Sequence, residues 1–438
     1  MNIAGEPRMG LSRVLLSLAL GGVVAGLGIV GGRLLGEQSA LAADPITVNS
    51  TADDTLTNLA ENTTCDLREA IAAANTDAQV GQCNVGGGDA ATINITSTGT
   101  VLLTANLPAI TDTLIINGPG ADSLTIDGAG SYRHFEIASG TRAEISGLTL
   151  ARGYGYYGGA VYSSGGLTIA NSRIHSNRAG WGGGGIYASF ASCSPPTTTL
   201  RIINSTVYSN TAGQKGGGIY VNADRCGGSV PTTLMLTGST VNDNSATSGG
   251  GIYLYYTSAR LLNSTVSGNH ASGHGGGIGT LSDPNQRVDL VNCTIYTNTA
   301  SNNGGGMQLE DAFTVNTKNT IVAGNGAGGV GPDIWGTIQS YDYNLIQDTS
   351  GATIQVTTTH NITGINPILG LLADNGGRTW THALLAGSPA INAGSCTDIA
   401  GDPITADQRG VPRISPCDIG AYEYAVQVYL PLVIRNSW

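Results

Sequence analysis

Along most of the chain, apolar residues come in short, often β-branched bursts that alternate with polar positions and break at Gly or Asn. Alternation of this kind turns successive side chains to opposite faces of a strand. The bursts recur in a fixed order. Gly-Gly-Gly followed by an apolar residue is written five times, ending at Ile186, Ile219, Ile252, Ile278 and Met307. A looser copy ends at Val161, and Gly331-Pro332-Asp333-Ile334 follows the last, with spacings of 25 to 33 residues. Ahead of each copy stands a second motif: residues 171–177 (NSRIHSN), 204–210 (NSTVYSN), 238–244 (GSTVNDN), 263–269 (NSTVSGN), 292–298 (NCTIYTN) and 319–325 (NTIVAGN). A period of this size, made of short strands and sharp corners, predicts an all-β solenoid of stacked coils in one long domain. It carries neither the WD signature of propellers nor the leucine consensus of horseshoe repeats.

Stacking places equivalent residues in columns about 4.8 Å apart. Val207, Val241, Val266 and Ile295 then form an interior stack, each side chain contributing roughly 1.5 to 3 kcal/mol on burial. Asn177, Asn210, Asn244, Asn269, Asn298 and Asn325 form an amide ladder at a corner. The Gly triplets supply positive φ and room for close approach. Weaker strand-like segments before and after extend the stack to about ten or eleven coils, roughly 50 Å, from about Thr92 to Ile391. The open ends need covers. One helical segment, residues 66–75, suits the N-terminal end: Asp66 caps it, Glu69 completes the capping box, Leu67, Ala70, Ile71 and Ala74 share a face, and Asn75 ends it.

Composition narrows the class. The 438 residues include 66 Gly, yet 40% are hydrophobic and no Gly-X-Y period exists, which excludes collagen and wholesale disorder. A net charge of -11 argues against nucleic acid and anionic membrane surfaces as partners. Residues 1–43 hold an early Arg pair, an apolar run and an Ala-Leu-Ala-Ala cluster, the pattern of a secretory signal cleaved near Ala43 or Asp44. Export predicts an extracellular or cell-surface chain of charge about -12 with no membrane span after cleavage, and an oxidising environment for seven Cys. Cys65 and Cys83 bracket one segment, Cys396 and Cys417 another, and Cys193 and Cys226 hold matching places in neighbouring repeats, so three disulfides are expected. Cys293 replaces a repeat Ser and is expected as a buried thiol.

At residues 64–71 (TCDLREAI) the sequence resembles the bacterial CSLREA domain, with Asp66 in place of Ser. Towards the other end, residues 331–334 (GPDI), 343–346 (YNLI), 372–377 (LADNGG), 381–384 (THAL), 387–391 (GSPAI), 407–410 (DQRG) and 418–423 (DIGAYE) resemble the choice-of-anchor Q domain. The resemblance implies a secreted or surface-displayed right-handed parallel β-helix, kin to polymorphic outer-membrane-type adhesins, and no agreed activity. Asn392 stands where such modules carry Asp. The organisation that follows is signal 1–43, cap 44–90, repeats 91–335, further coils with the anchor-like module 336–424, and an apolar tail 425–438, expected as a capping strand.

Chemistry is sparse. Glycoside cleavage needs two carboxylates facing one groove, and the repeat acids Asp224, Asp243, Asp283, Asp289, Glu310 and Asp311 occupy unlike positions. Gly273-His274-Gly275 echoes a polygalacturonase tripeptide without its companion motifs, so no catalytic residue is assigned. Asp398, Asp402, Asp407 and Arg409 lie in Gly/Pro-rich turns; they fix loops or at most hold a structural calcium, and no other cofactor or metal is expected. The strongest ligand candidates are Tyr162, Tyr187, Tyr220 and Tyr253, each following the inward apolar residue and so turned outward into one column. An exposed row of this kind would seat an extracellular glycan or cell-surface component, whereas a row packed on itself would be structural. The functions left open are adhesion or glycan binding, a polysaccharide lyase or hydrolase, and a passive spacer. Nothing in the residues sets the oligomeric state.

Overall fold

The structure is a computed structural model that describes residues 44–54, 63–85, 90–190, 199–223, 232–281, 286–310, 314–355 and 359–424. The leader, the Cys193–Cys226 pair, Asp224, Asp283, Asp311 and the tail 425–438 lie outside the described residues. Each central coil contributes four short strands, as in Gly166–Ala170, Arg173–His175, Arg178–Gly182 and Ile186–Phe190. Each pairs in parallel with its counterpart one coil on. Among the described residues the second strands form an eleven-stranded sheet and the third a seven-stranded one. The first and fourth rows merge through the long strand Ile334–Ser340 into a sheet of nineteen.

The interior is a set of columns. Ile174, Val207, Val241, Val266 and Ile295 are wholly buried, as are Ile186, Ile219 and Ile252 on the facing wall. The third wall carries Ala179, Ala212, Ala246, Ala271 and Ala300, small enough for a tight turn of the coil. Three corners close each coil, and all three rely on left-handed backbone. The leading Gly of each triplet serves one, from Gly183 (φ 67°) to Gly304 (φ 70°). The other two fall mostly on non-Gly residues: the leading Asn of the second motif (Asn171, Asn204, Asn263, Asn292 and Asn319, φ 46° to 53°) and a later position held by Ser176, Ser209, Asp243 or Thr297. Asn tolerates this region because its short amide bonds locally. The sequence expectation named positive φ for the Gly triplets; the motif's first Asn had the chemistry for another of the corners.

Two polar ladders run inside the corners. Asn177 Nδ2 donates to Asn210 Oδ1 at 2.9 Å, and the relay continues through Asn244, Asn269 and Asn298 to Asn325 at 2.9 to 3.0 Å. Each amide also donates to a carbonyl of the preceding coil, as Asn244 does to Val207 at 2.9 Å. Asp333 ends the run, accepting from Asn325 Nδ2 at 2.8 Å. Beside it Ser172, Ser205, Ser239 and Ser264 form a second ladder from backbone amide to hydroxyl. Cys293 takes the next rung as a free buried thiol, pushed up to about 12 by burial.

The helix, α1 (Leu67–Thr76), has both bonds of its capping box, and Asp77 at φ 48° ends it two residues later than expected. It packs on strands Ile46–Val48 and Ala91–Ile95, and the Cys65–Cys83 disulfide (Cα separation 4.8 Å) brackets it. Arg68 is buried, pairing with Asp53 at 2.8 Å and donating to the carbonyls of Ala105 and Asn106, so it ties the cap to the coils. No helix of the described residues is long and apolar enough to cross a membrane.

The far end departs from expectation. Coils begin at Ile46–Val48 and end at Ile362–Thr363, not near Ile391. Beyond them an antiparallel hairpin, Leu369–Ala373 with Thr381–Leu384, opens a strap, residues 368–424, that runs back along the outer face of the second sheet. The strap lacks the corner motifs that turn a coil. It docks instead through single pairings, including Thr379 Oγ1 to Gly238 O at 2.9 Å, Asn263 Nδ2 to Ala406 O at 2.9 Å and Asn319 Nδ2 to Asp418 O at 2.9 Å. The Cys396–Cys417 disulfide (Cα separation 5.4 Å) closes it internally.

Candidate functional site

The tyrosine column forms in register, Tyr162 opposite Tyr187, then Tyr220, then Tyr253, with ring centroids 5.0 to 5.6 Å apart. It is not exposed. Tyr187, Tyr220 and Tyr253 keep only 3 to 5% of their surface and Tyr162 is half-buried. The Gly-triplet corner folds the end of the third strand row over them. Tyr157 stacks on Tyr187 at 4.7 Å, Trp181 lies 5.7 Å from Tyr220, and the Lys215 ammonium sits 4.0 Å above Tyr253. Burial accordingly raises the Tyr220 and Tyr253 hydroxyls and lowers Lys215. The outward direction follows from alternation; the cover comes from Tyr157 and Lys215, at a position ahead of the Gly triplet whose residue type changes from coil to coil, and from Trp181 beside it. This column is an internal rib and presents no open platform.

The acidic turns are likewise occupied. Asp407 accepts from the Arg409 guanidinium at 2.7 Å and from the amides of Arg409 and Val411. Asp398 accepts from Arg260 at 2.6 Å and from the amides of Ala400 and Asp402. Asn392, at φ 55°, donates its backbone amide to Asp418. His274 is half-buried in a corner column with Ser248 and Lys215 and stacks on Trp335 at 6.0 Å.

An open site arises where the strap stops. On the second sheet, two outward columns run Arg173–Thr206–Thr240–Thr265–Thr294 and His175–Tyr208–Asn242–Ser267–Tyr296. The strap covers both from Thr240 onward. Thr240 Oγ1 donates to Trp380 O at 2.7 Å, Thr265 Oγ1 to Gln408 Oε1 at 2.7 Å, and Ser267 meets His382 Nε2 at 2.7 Å. His382 is buried, donates Nδ1–H to Gly370 O at 2.8 Å, and has its pKa lowered by desolvation. Arg173, Thr206 and Tyr208 lie beyond the strap's edge and form a floor, with Arg378 and Trp380 as the wall.

The result is a set of adjoining hollows along one seam. The largest, about 420 Å³, reaches from Asp122 and Ser123 past Asn171, Arg173 and Asn204 to Asp374, Arg378 and Trp380. Recesses of about 200 Å³ and 280 Å³ open beside it, and Arg378 lines all three. Trp380 is 46% exposed, 6.4 Å from the Tyr208 ring, which in turn stacks on His175 at 4.7 Å. Arg173 pairs with Asp122 on the rim. The hollow has the size of a small-molecule seat and a mostly polar lining around one aromatic face, which suits a polar ligand. Alternation within NSRIHSN and NSTVYSN already turns Arg173, His175 and Tyr208 outward; no local signal shows that Arg378 and Trp380 come to lie beside them.

Residues 69–270 match the family model described as right handed beta helix region. The fold is a right-handed parallel β-helix. The matched span takes in α1 and the coils that carry the cleft floor, while the strap wall lies outside it. No curated protein matches the chain, and no solved structure does. The β-helix therefore carries its cleft at a junction between matched coils and an unmatched strap.

Proposed function

We propose that this β-helix is an exported, surface-displayed glycan-binding protein whose ligand seat is the seam cleft. The single observation that carries the reading is Trp380, half exposed beside Tyr208 and surrounded by Arg173, Arg378 and Asn204. An aromatic face takes the apolar side of a sugar ring while guanidinium and amide groups take its hydroxyls. Two disulfides in the described residues and the leader-like first 43 residues support export. The buried tyrosine rib serves rigidity.

The test is an oligosaccharide panel incubated with the full exported chain, recording both binding and product release. Trp380→Ala should lower affinity by about fivefold to 150-fold, since stacking on an aromatic face is worth about 1 to 3 kcal/mol. Its melting temperature should hold, because Trp380 docks the strap through its backbone carbonyl. Tyr220→Ala should do the reverse, lowering the melting temperature by opening a cavity and leaving binding intact. Binding that survives Trp380→Ala and vanishes in a folded Tyr220→Ala chain would move the ligand to the rib. Product release abolished by Asp374→Asn would replace a binding protein with an enzyme.

A further inference from the structure

We propose that the seam cleft selects anionic sugars, with Arg378 as the residue that reads the charge and Arg173 as its partner; this rests on the glycan-binding reading. The recess of about 200 Å³ beside Trp380 is lined by Arg173, Thr206, Tyr208, Arg378 and Trp380. It holds two guanidiniums and no carboxylate, on a chain whose net charge is -11. A bound sugar stacked on Trp380 there meets positive charge on two sides.

Arg378 differs from the other strap arginines in what it does. Arg409 is spent on Asp407 and on Glu423 O, and Arg413 on Glu423 and the carbonyls of Asp418 and Gly420. Arg378 is exposed and makes no hydrogen bond or ion pair among the described residues. Its backbone is nevertheless fixed. Thr379, next in sequence, is buried, donates to Gly238 O and accepts from Gln408 Nε2 at 2.9 Å. Gly377, just before it, has φ 90° and lies against Arg409, where a Cβ would stand 2.7 Å from Arg409 Cα. A free guanidinium on a held backbone is ready for a ligand, with less ordering entropy left to lose on binding.

Arg173 is engaged, but weakly. Its partner Asp122 has a side chain 81% exposed, and pairs in water contribute little. A ligand carboxylate or sulfate can take that place at small cost. Guanidinium suits either anion because its planar fork gives two parallel N–H donors. Asp122 and Asp374 line the larger hollow and not the recess beside Trp380, where the charged groups are the two guanidiniums.

Affinity of the full exported chain is measured by calorimetry for three probes: a uronic-acid tetrasaccharide, its methyl ester, and a sulfated neutral tetrasaccharide. The acid should bind at least about tenfold more tightly than the ester, with affinity falling as salt is raised. Arg378→Gln should bring the acid down to the ester's level without changing the melting temperature, Arg378→Lys should restore part of the difference, and Arg173→Gln should show a smaller loss. Preference for the sulfated probe alone, lost in Arg378→Gln, supports the inference with sulfate as the anion. Equal binding of acid and ester, both lost in Trp380→Ala, overturns the charge selection and leaves the glycan reading standing. Absence of binding to all three probes, with a wider neutral panel also negative, overturns both.

Discussion

The coils and the strap solve the same problem, burying polar backbone against a neighbour, by opposite means. In the coils one interaction is copied: the ladder from Asn177 to Asn298 makes the same bonds in coil after coil, and the column Ile174, Val207, Val241, Val266 and Ile295 repeats one β-branched side chain or its near isostere. In the strap the carboxylate-capped turn at Asp398 recurs at Asp407, but the contacts that dock the strap on the coils differ from one to the next. Arg413 is wholly buried, donates to Glu423 at 3.0 Å and to the carbonyls of Asp418 and Gly420, and reaches Asn263 on the coil. Arg409 lies 3.5 Å over Tyr422 while gripping Asp407. Copied contacts spread stability over many equal small terms, so losing one is local. Unique buried charges concentrate it.

That contrast is open to direct attack. The largest effect should come from Arg413→Ala, which strands Glu423 without its cation and should cost about 3 to 5 kcal/mol. Differential scanning calorimetry checks it, and a loss no larger than that of a ladder variant would break the contrast. The ladder's acidic terminus comes next. Burial pushes the Asp333 carboxyl up to about 6. A carboxyl raised in the folded chain contributes stability that is fully present below about pH 4 and is lost as pH rises through 6. Asp333→Asn should therefore gain on the parent chain by up to about 3 kcal/mol between pH 4 and 7. Urea unfolding at both pH values measures this, and a constant difference would show that the ladder ends without a charge penalty. Asn244→Ala should cost least, about 1 to 3 kcal/mol, by leaving partners in the coils on either side short of a bond. An unchanged melting temperature would mean that water repairs the rung.

Repetition also decided what the sequence could tell. The coil order, the Asn ladder, the place of Cys293 and the pairs Cys65–Cys83 and Cys396–Cys417 were legible, because a period turns spacing into position and local brackets turn Cys into neighbours. The outward direction of Tyr187 and Tyr220 was legible for the same reason, and their burial was not, since the position of Tyr157 and Lys215 is filled by Gly182, Ser248 and His274 in other coils and so shows no repeated cover. Half of the cleft could have been found: Arg173 and Tyr208 are outward residues of the very motif that defined the period. The other half could not. Trp380 meets Thr240 across 140 residues, and Gln408 meets it across 168, with nothing in either segment to match them.

A solenoid can ordinarily gain or lose a coil without penalty, because each turn knows only its neighbours. Here the strap touches Gly238 and Thr240, Asn263 and Thr265, Thr294, and Asn319, on four consecutive turns. It is a ruler laid along the stack. Excising the turn from 263 to 291 would shorten the distance between its anchor points by one sheet spacing, about 4.8 Å, and every bond beyond the first would miss its mark. The number of turns, free to drift in other repeat proteins, is set in this one by a measuring tape folded from its own C-terminal segment.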